Sequence, residues 1–141
     1  MKLLVIEDDP TNSRLIQQTI CEWGHRVAIS NSGKDALVKA CQNRFDLVLL
    51  DMSLPDMEAC DLIPTIQSAW PDVKIVTMTD SNSLELERRV RKYGVIYYMI
   101  KPINFKELKS IVVYMSNKLG ISDCPAPKGR PVNSKPKLWS R

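Results

Sequence analysis

No run of apolar residues in this chain approaches the roughly 18 positions that a membrane-crossing helix needs. The opening MKLLVIEDD reaches its acids after one lysine and the short run LLVI, too brief for a secretory signal. A cytoplasmic protein with no membrane partner is expected. Histidine is nearly absent, with His25 the single example, and the four cysteines at 21, 41, 60 and 124 form no C-x-x-C pair. A zinc site or a disulfide framework is therefore not expected, and the cysteines read as reduced thiols, three of them in helices. Residues 1–120 also lack net charge, since 15 Lys+Arg balance 15 Asp+Glu. The whole excess of +4 sits in residues 121–141, so charge gives the folded part no general affinity for nucleic acid. No internal repeat is visible.

What is present is the composition of one ordinary globular domain. Hydrophobic residues make up 44% and charged residues 26% of 141 positions, enough chain to bury a core. Short apolar runs alternate with longer helix-like stretches. Strands are expected at Lys2–Ile6, Arg26–Ile29, Asp46–Leu50, Val73–Met78 and Val95–Ile100. Asp9 followed by Pro10 opens the first helix, which carries Leu15, Ile16, Ile20 and Trp23 as its apolar stripe and stops at Gly24. Ser32 to Asp35 is a capping-box pattern, placing Ala36, Leu37, Ala40 and Cys41 inward. Pro64 predicts a third helix that starts late, near Cys60 or Asp61, or bends at the proline, and that ends at Trp70-Pro71. The fourth helix covers 82–92 with a basic outer face. The fifth starts after Asn104 and turns Phe105, Leu108, Ile111, Val112, Met115 and Leu119 inward, with Gly120 closing the domain.

Five strand–helix units in alternation predict an α/β fold: a doubly wound, five-stranded parallel sheet with five helices. The expected domain is 1–120, and 121–141, with four prolines and five basic residues, reads as a disordered tail or linker.

In such sheets the functional crevice lies beyond the carboxyl ends of the strands. Glu7 and Asp8 follow the first strand, Asp51 ends the third, Thr79 follows the fourth and Lys101 follows the fifth. These residues should meet in one pocket. Three carboxylates side by side repel one another, which raises at least one pKa and favours a bound cation. Oxygen ligands without His or Cys suit Mg²⁺ or Mn²⁺. Lys101 supplies a compact positive charge and Thr79 a hydroxyl, both fitted to a phosphoryl group. A carboxylate that accepts such a group becomes an acyl phosphate. Asp51 is thus the candidate acceptor, Glu7 and Asp8 the metal holders, and Lys101 and Thr79 the phosphate contacts.

With VIEDDP, DLVLLDMSLPDM, VTMT and YYMIKP in this order, the chain resembles the receiver domain of two-component response regulators over about residues 1–119. The spacings fit as well: 43 residues from Asp8 to Asp51, 28 to Thr79 and 22 to Lys101. The resemblance implies a three-layer, flavodoxin-like or CheY-like fold. It implies a sensor histidine kinase or phosphotransfer protein as phosphodonor and a metal ligand from the Ser53 backbone carbonyl. It also implies a switch in which Thr79 and Tyr98 reorient on phosphorylation. The altered face, made of the fourth helix, fifth strand and fifth helix, would then meet a downstream protein or a second copy.

The chain departs from the family pattern at Asp80, where a small residue is usual, at Glu58-Ala59, at Val95 and at Pro64. A carboxylate at Asp80 is expected to slow or alter the phosphoryl chemistry. A stand-alone receiver, not an enzyme, is the expected identity. The alternatives are an aspartyl-nucleophile phosphatase-like enzyme, a reading opposed by Ser53 where such enzymes place a second acid, and the N-terminal part of a longer regulator. Nucleic-acid contact through the basic tail and Trp139 is a minor reading.

Overall fold

The computed structural model describes residues 1–120. Five strands form one sheet: β1 (Lys2–Ile6), β2 (Arg26–Ser30), β3 (Leu47–Asp51), β4 (Lys74–Thr79) and β5 (Tyr97–Ile100). All pairings are parallel and the order is β2-β1-β3-β4-β5. The helices between and after them are α1 (Pro10–Glu22), α2 (Gly33–Gln42), α3 (Ala59–Ala69), α4 (Leu84–Lys92) and α5 (Phe105–Lys118).

Alternation along the strands divides the core into two layers. Leu4, Ile6, Val48, Leu50 and Ile75 face α2, α3 and α4, packing on Ala36, Leu62, Ile63, Ile66 and Val90. Leu3, Val5, Leu47, Leu49, Val76 and Met78 face α1 and α5, packing on Ile16, Ile20, Leu108, Ile111 and Met115. Both faces of the sheet are thereby covered, which is why its central strands read as solid apolar runs rather than as alternating ones. The chain runs from β1 outward to β2, then returns across β1 to β3. The resulting switch point, at the carboxyl ends of β1 and β3, is where an open α/β sheet leaves a crevice.

Local chemistry sets most of the helix ends. The Asp9 carboxylate accepts from Thr11 N–H at 2.9 Å, Ser32 Oγ from Asp35 N–H at 3.1 Å, and Ser83 Oγ from Leu86 N–H at 3.2 Å. Asn104 Oδ1 accepts from Lys106 and Glu107 N–H. Gly24 and Gly94 take φ of 92° and 82° just past α1 and α4, a conformation other L-residues rarely adopt.

Several expectations are corrected. Leu15 is 49% exposed, because the buried stripe of α1 runs through Ser13, Ile16 and Ile20 and Leu15 lies about 100° around the helix from Ile16. Cys41 is exposed, and Leu119 is 47% exposed at the end of α5. α3 begins at Ala59 and carries Pro64 as its sixth residue, past the first turn where a missing N–H is free of cost. α4 starts at Leu84 because Ser83 is its cap, and β5 starts at Tyr97. Cys21, Cys41 and Cys60 are free thiols in α1, α2 and α3. The expectations for residues 121–141 and Cys124 lie outside the described residues.

Candidate functional site

The carboxyl ends of the strands bring the sequence candidates together. The β1 run ends in Glu7, whose N–H donates to Ser30 O at 2.9 Å and holds the turn against β2. Asp51, the last residue of β3, is buried, as is Glu7, whereas Asp8 is exposed at the rim. One oxygen each from Glu7, Asp8 and Asp51 can be chosen so that all lie within 4.8 Å of one another. Lys101 arrives from the end of β5, its N–H bonded to Thr79 O at 2.6 Å. Its ammonium lies 3.0 Å from Asp51 Oδ2 and 3.1–3.2 Å from both Glu7 oxygens. A single cation therefore bridges two buried acids that stand 44 positions apart in the sequence.

The expected pKa perturbation is present. Burial pushes the Glu7 carboxyl up to about 7, the neighbouring Asp51 carboxylate adds to the rise, and Lys101 opposes it. Burial works against the Lys101 ammonium, but its bonds to Asp51 and Glu7 outweigh that and raise its pKa.

Ser53 N–H donates to Asp51 Oδ1 at 3.0 Å, so both Asp51 oxygens have partners. With a side chain only 1% exposed, Asp51 lies beneath Lys101, which is 19% exposed. Thr79 Oγ1 accepts from Ser81 N–H at 3.1 Å, and the Tyr98 hydroxyl donates to Ser81 O at 3.0 Å. Thr79 and Tyr98, on adjacent strands, thus grip one residue of the loop between β4 and α4. Burial raises the Tyr98 pKa, keeping the hydroxyl a donor. Asp80 is exposed.

Two residues not anticipated from sequence join this set. The Asn12 amide donates to Glu7 Oε1 at 3.4 Å from the first turn of α1. Asp56, in the loop after β3, binds the start of α2 through both carboxylate oxygens. A polar residue one turn into the helix after an acidic strand end could have flagged Asn12. Asp56 left no sequence signal beyond following Pro55.

The donor set is three carboxylates with no sulfur or imidazole, which fits a hard divalent cation. With all groups ionised, three acids and one ammonium leave two negative charges, the charge such an ion would cancel.

Comparison with known proteins gives a consistent picture. The family model described as response regulator receiver domain matches residues 3–113. The chain is 33% identical over 107 residues to the transcriptional regulatory protein ZraR of Klebsiella oxytoca, a match covering 76% of this chain and 24% of that protein. The chain thus spans about a quarter of the length of that curated relative. A two-component response regulator from Clostridium difficile superposes with a TM-score of 0.81 at 25% identity, covering 84% of this chain and 98% of that one. The response regulator protein TrrA from Thermotoga maritima, solved in complex with Mg(2+)-BeF, gives a TM-score of 0.72 at 26% identity over 81% of this chain and 97% of that one.

Proposed function

This chain belongs to the family of response regulator receiver domains, and from that premise we propose that Asp51 accepts a phosphoryl group in a Mg²⁺-dependent reaction. The donor is a sensor histidine kinase or a phosphotransfer protein. The observation that carries the reading is the shared ammonium: Lys101 holds Asp51 and Glu7 together on the crevice side of the sheet, with Asp8 open beside them.

Glu7, Asp8, Asp51 and the Ser53 carbonyl are the groups that would hold the ion, with Mg²⁺ the first choice and Mn²⁺ an alternative. Bound there, a divalent ion offsets charge on the incoming phosphoryl oxygens. The relative solved with Mg(2+)-BeF supports this choice. In the transfer, an Asp51 oxygen forms a bond to phosphorus while the bond from phosphorus to the donor imidazole nitrogen breaks. The electron pair of that bond stays on the imidazole, and Asp51 becomes an acyl phosphate. Lys101 covers Asp51, so its ammonium leaves Oδ2 and pairs with a phosphoryl oxygen as the group arrives. The Thr79 hydroxyl accepts from Ser81 and can also donate its hydrogen to a phosphoryl oxygen. Pulling on Thr79 moves Ser81, and Ser81 O is what the Tyr98 hydroxyl holds. The new charge thereby biases the loop ahead of α4 and the α4–β5–α5 face. That face is where a downstream protein or a second copy of the chain would bind.

The role is signalling, in the cytoplasm, rather than turnover of a substrate. Ser53, two residues after Asp51, offers no carboxyl for the general acid that a phosphatase-like enzyme would need. The coverage of a quarter of a transcriptional regulator supports a variant of the reading in which the receiver controls an output domain of a longer polypeptide. Incubation with acetyl phosphate and Mg²⁺ followed by intact-mass measurement tests the proposal. Wild type should gain one phosphoryl group and Asp51→Asn none; an equal gain in both would remove Asp51 as acceptor. Turnover of an added phosphomonoester would instead favour the enzyme.

A further inference from the structure

The loop of residues 52–58 has no regular secondary structure, yet it carries Ser53, whose carbonyl the proposed site requires. Its first residues are tied to the sheet by Met52 N–H on Met78 O at 2.9 Å and by Ser53 N–H on Asp51. Three residues beyond Ser53, the loop is fixed a second time. Asp56 Oδ1 accepts from Gly33 N–H and Oδ2 from Lys34 N–H, both at 2.9 Å.

These two amides are the first of α2, which have no partner inside the helix. The third, Asp35 N–H, is taken by Ser32 Oγ. Helix α2 therefore has a local cap of its own and a second one supplied by a distant carboxylate. The approach is close. A Cβ built on Gly33 would lie 2.2 Å from Met57 Sδ and 2.4 Å from Met57 Cγ, so this side chain occupies the space that only glycine leaves. Glycine here serves proximity rather than a turn, since Gly33 is the first residue of α2 and its φ is not positive.

We propose that Asp56 is a positioning residue for the cation-holding loop, clamping it to the first turn of α2 so that Ser53 keeps its place beside Asp51. This deepens the reading of the site given above and rests on it. The two amides lower the Asp56 pKa below the usual carboxylate value, so the clamp stays ionised at neutral pH. A loop pinned at both ends holds a ligand in register before the ion arrives, and groups that orient ligands in this way typically contribute about tenfold to a hundredfold in metal affinity.

Ser32→Ala is the matched control, because it removes a cap from the same helical turn, one whose hydroxyl bonds Asp35 N–H rather than Asp56. Affinity for MgCl₂ is measured by calorimetry on wild type, Asp56→Ala, Asp56→Asn and Ser32→Ala, with urea unfolding of each. Asp56→Ala should bind Mg²⁺ about tenfold more weakly, Asp56→Asn should fall between it and wild type, and Ser32→Ala should match wild type. In metal-free protein, exchange of the Gly33 and Lys34 amides should accelerate in Asp56→Ala. Equal affinity in wild type and both Asp56 variants would overturn the proposal, as would equal losses in Asp56→Ala and Ser32→Ala. Should Asp56→Ala not fold, the comparison of Asp56→Asn with Ser32→Ala decides. Absence of both Mg²⁺ binding and phosphoryl uptake in wild type would overturn the reading of the site as a whole.

Discussion

Replacing Glu7 by glutamine should make the metal-free protein more stable at alkaline pH and no different at acid pH. Glu7 is buried beside Asp51, and its pKa rises from an ordinary 4.5 to about 7. Below 4.5 the carboxyl is protonated both folded and unfolded, and the site carries no penalty. Between 4.5 and about 7 the unfolded chain gives up the proton while the folded chain keeps it, so stability falls as pH rises. Above about 7 the folded carboxyl ionises too, and the loss is complete. That span corresponds to roughly 3 kcal/mol. Glutamine is neutral throughout and removes this component. Urea unfolding of both proteins at pH 5, 7 and 8.5 with a chelator measures it, and the difference between the two curves cancels the groups that do not touch Glu7. The gap should open from about 1 kcal/mol at pH 5 to roughly 3 kcal/mol in favour of glutamine at pH 8.5, most of it already present at pH 7. Added Mg²⁺ should close it by stabilising wild type alone. Parallel pH profiles for the two proteins would refute the claim that Glu7 is ionised at a cost in the fold.

Lys101→Met should leave Glu7 and Asp51 buried without their ammonium and cost roughly 2 kcal/mol at pH 8, below the roughly 3–5 kcal/mol of an orphaned buried charge because Glu7 can take up a proton; an unchanged urea midpoint would contradict the shared ion pair. Tyr98→Phe removes the hydroxyl held by Ser81 O and should change stability by no more than about 1 kcal/mol while speeding amide exchange in the loop between β4 and α4; unchanged exchange there would show that the tyrosine does not restrain the loop. Asp80→Ala removes the exposed carboxylate that follows Thr79 and should raise the rate of phosphorylation by acetyl phosphate severalfold, with identical phosphorylation and dephosphorylation rates in the two proteins as the contrary result.

The strands were legible because a parallel sheet covered on both faces turns LLVI and LVLL into unbroken apolar runs. The caps were legible because Asp9, Ser32 and Asn104 act on amides within three residues of themselves. Convergence of Glu7, Asp8, Asp51 and Lys101 followed from strand ends alone, since a parallel sheet puts those ends on one side. The contacts that escaped depend on angles and distances that no periodicity records. Leu15 is one position away from the buried stripe of α1. Pro64 was accommodated within a longer α3 by tertiary packing around Leu62, Ile63 and Ile66. Lys101 was read as a phosphate contact, and its ion pairs with two buried acids were not foreseen. Asp56 reaches back 22 and 23 residues to α2, a contact decided by how two loops lie at the top of the sheet.

Chemical trapping of the acceptor tests the central claim most directly. After incubation with acetyl phosphate and Mg²⁺, borohydride reduces an aspartyl phosphate to homoserine, and peptide mass mapping locates the change. The account predicts homoserine at position 51, formed only with the divalent ion and lost in Lys101→Met or greatly slowed. Homoserine at Asp8 or Asp80, or none anywhere with intact wild-type protein, would contradict it.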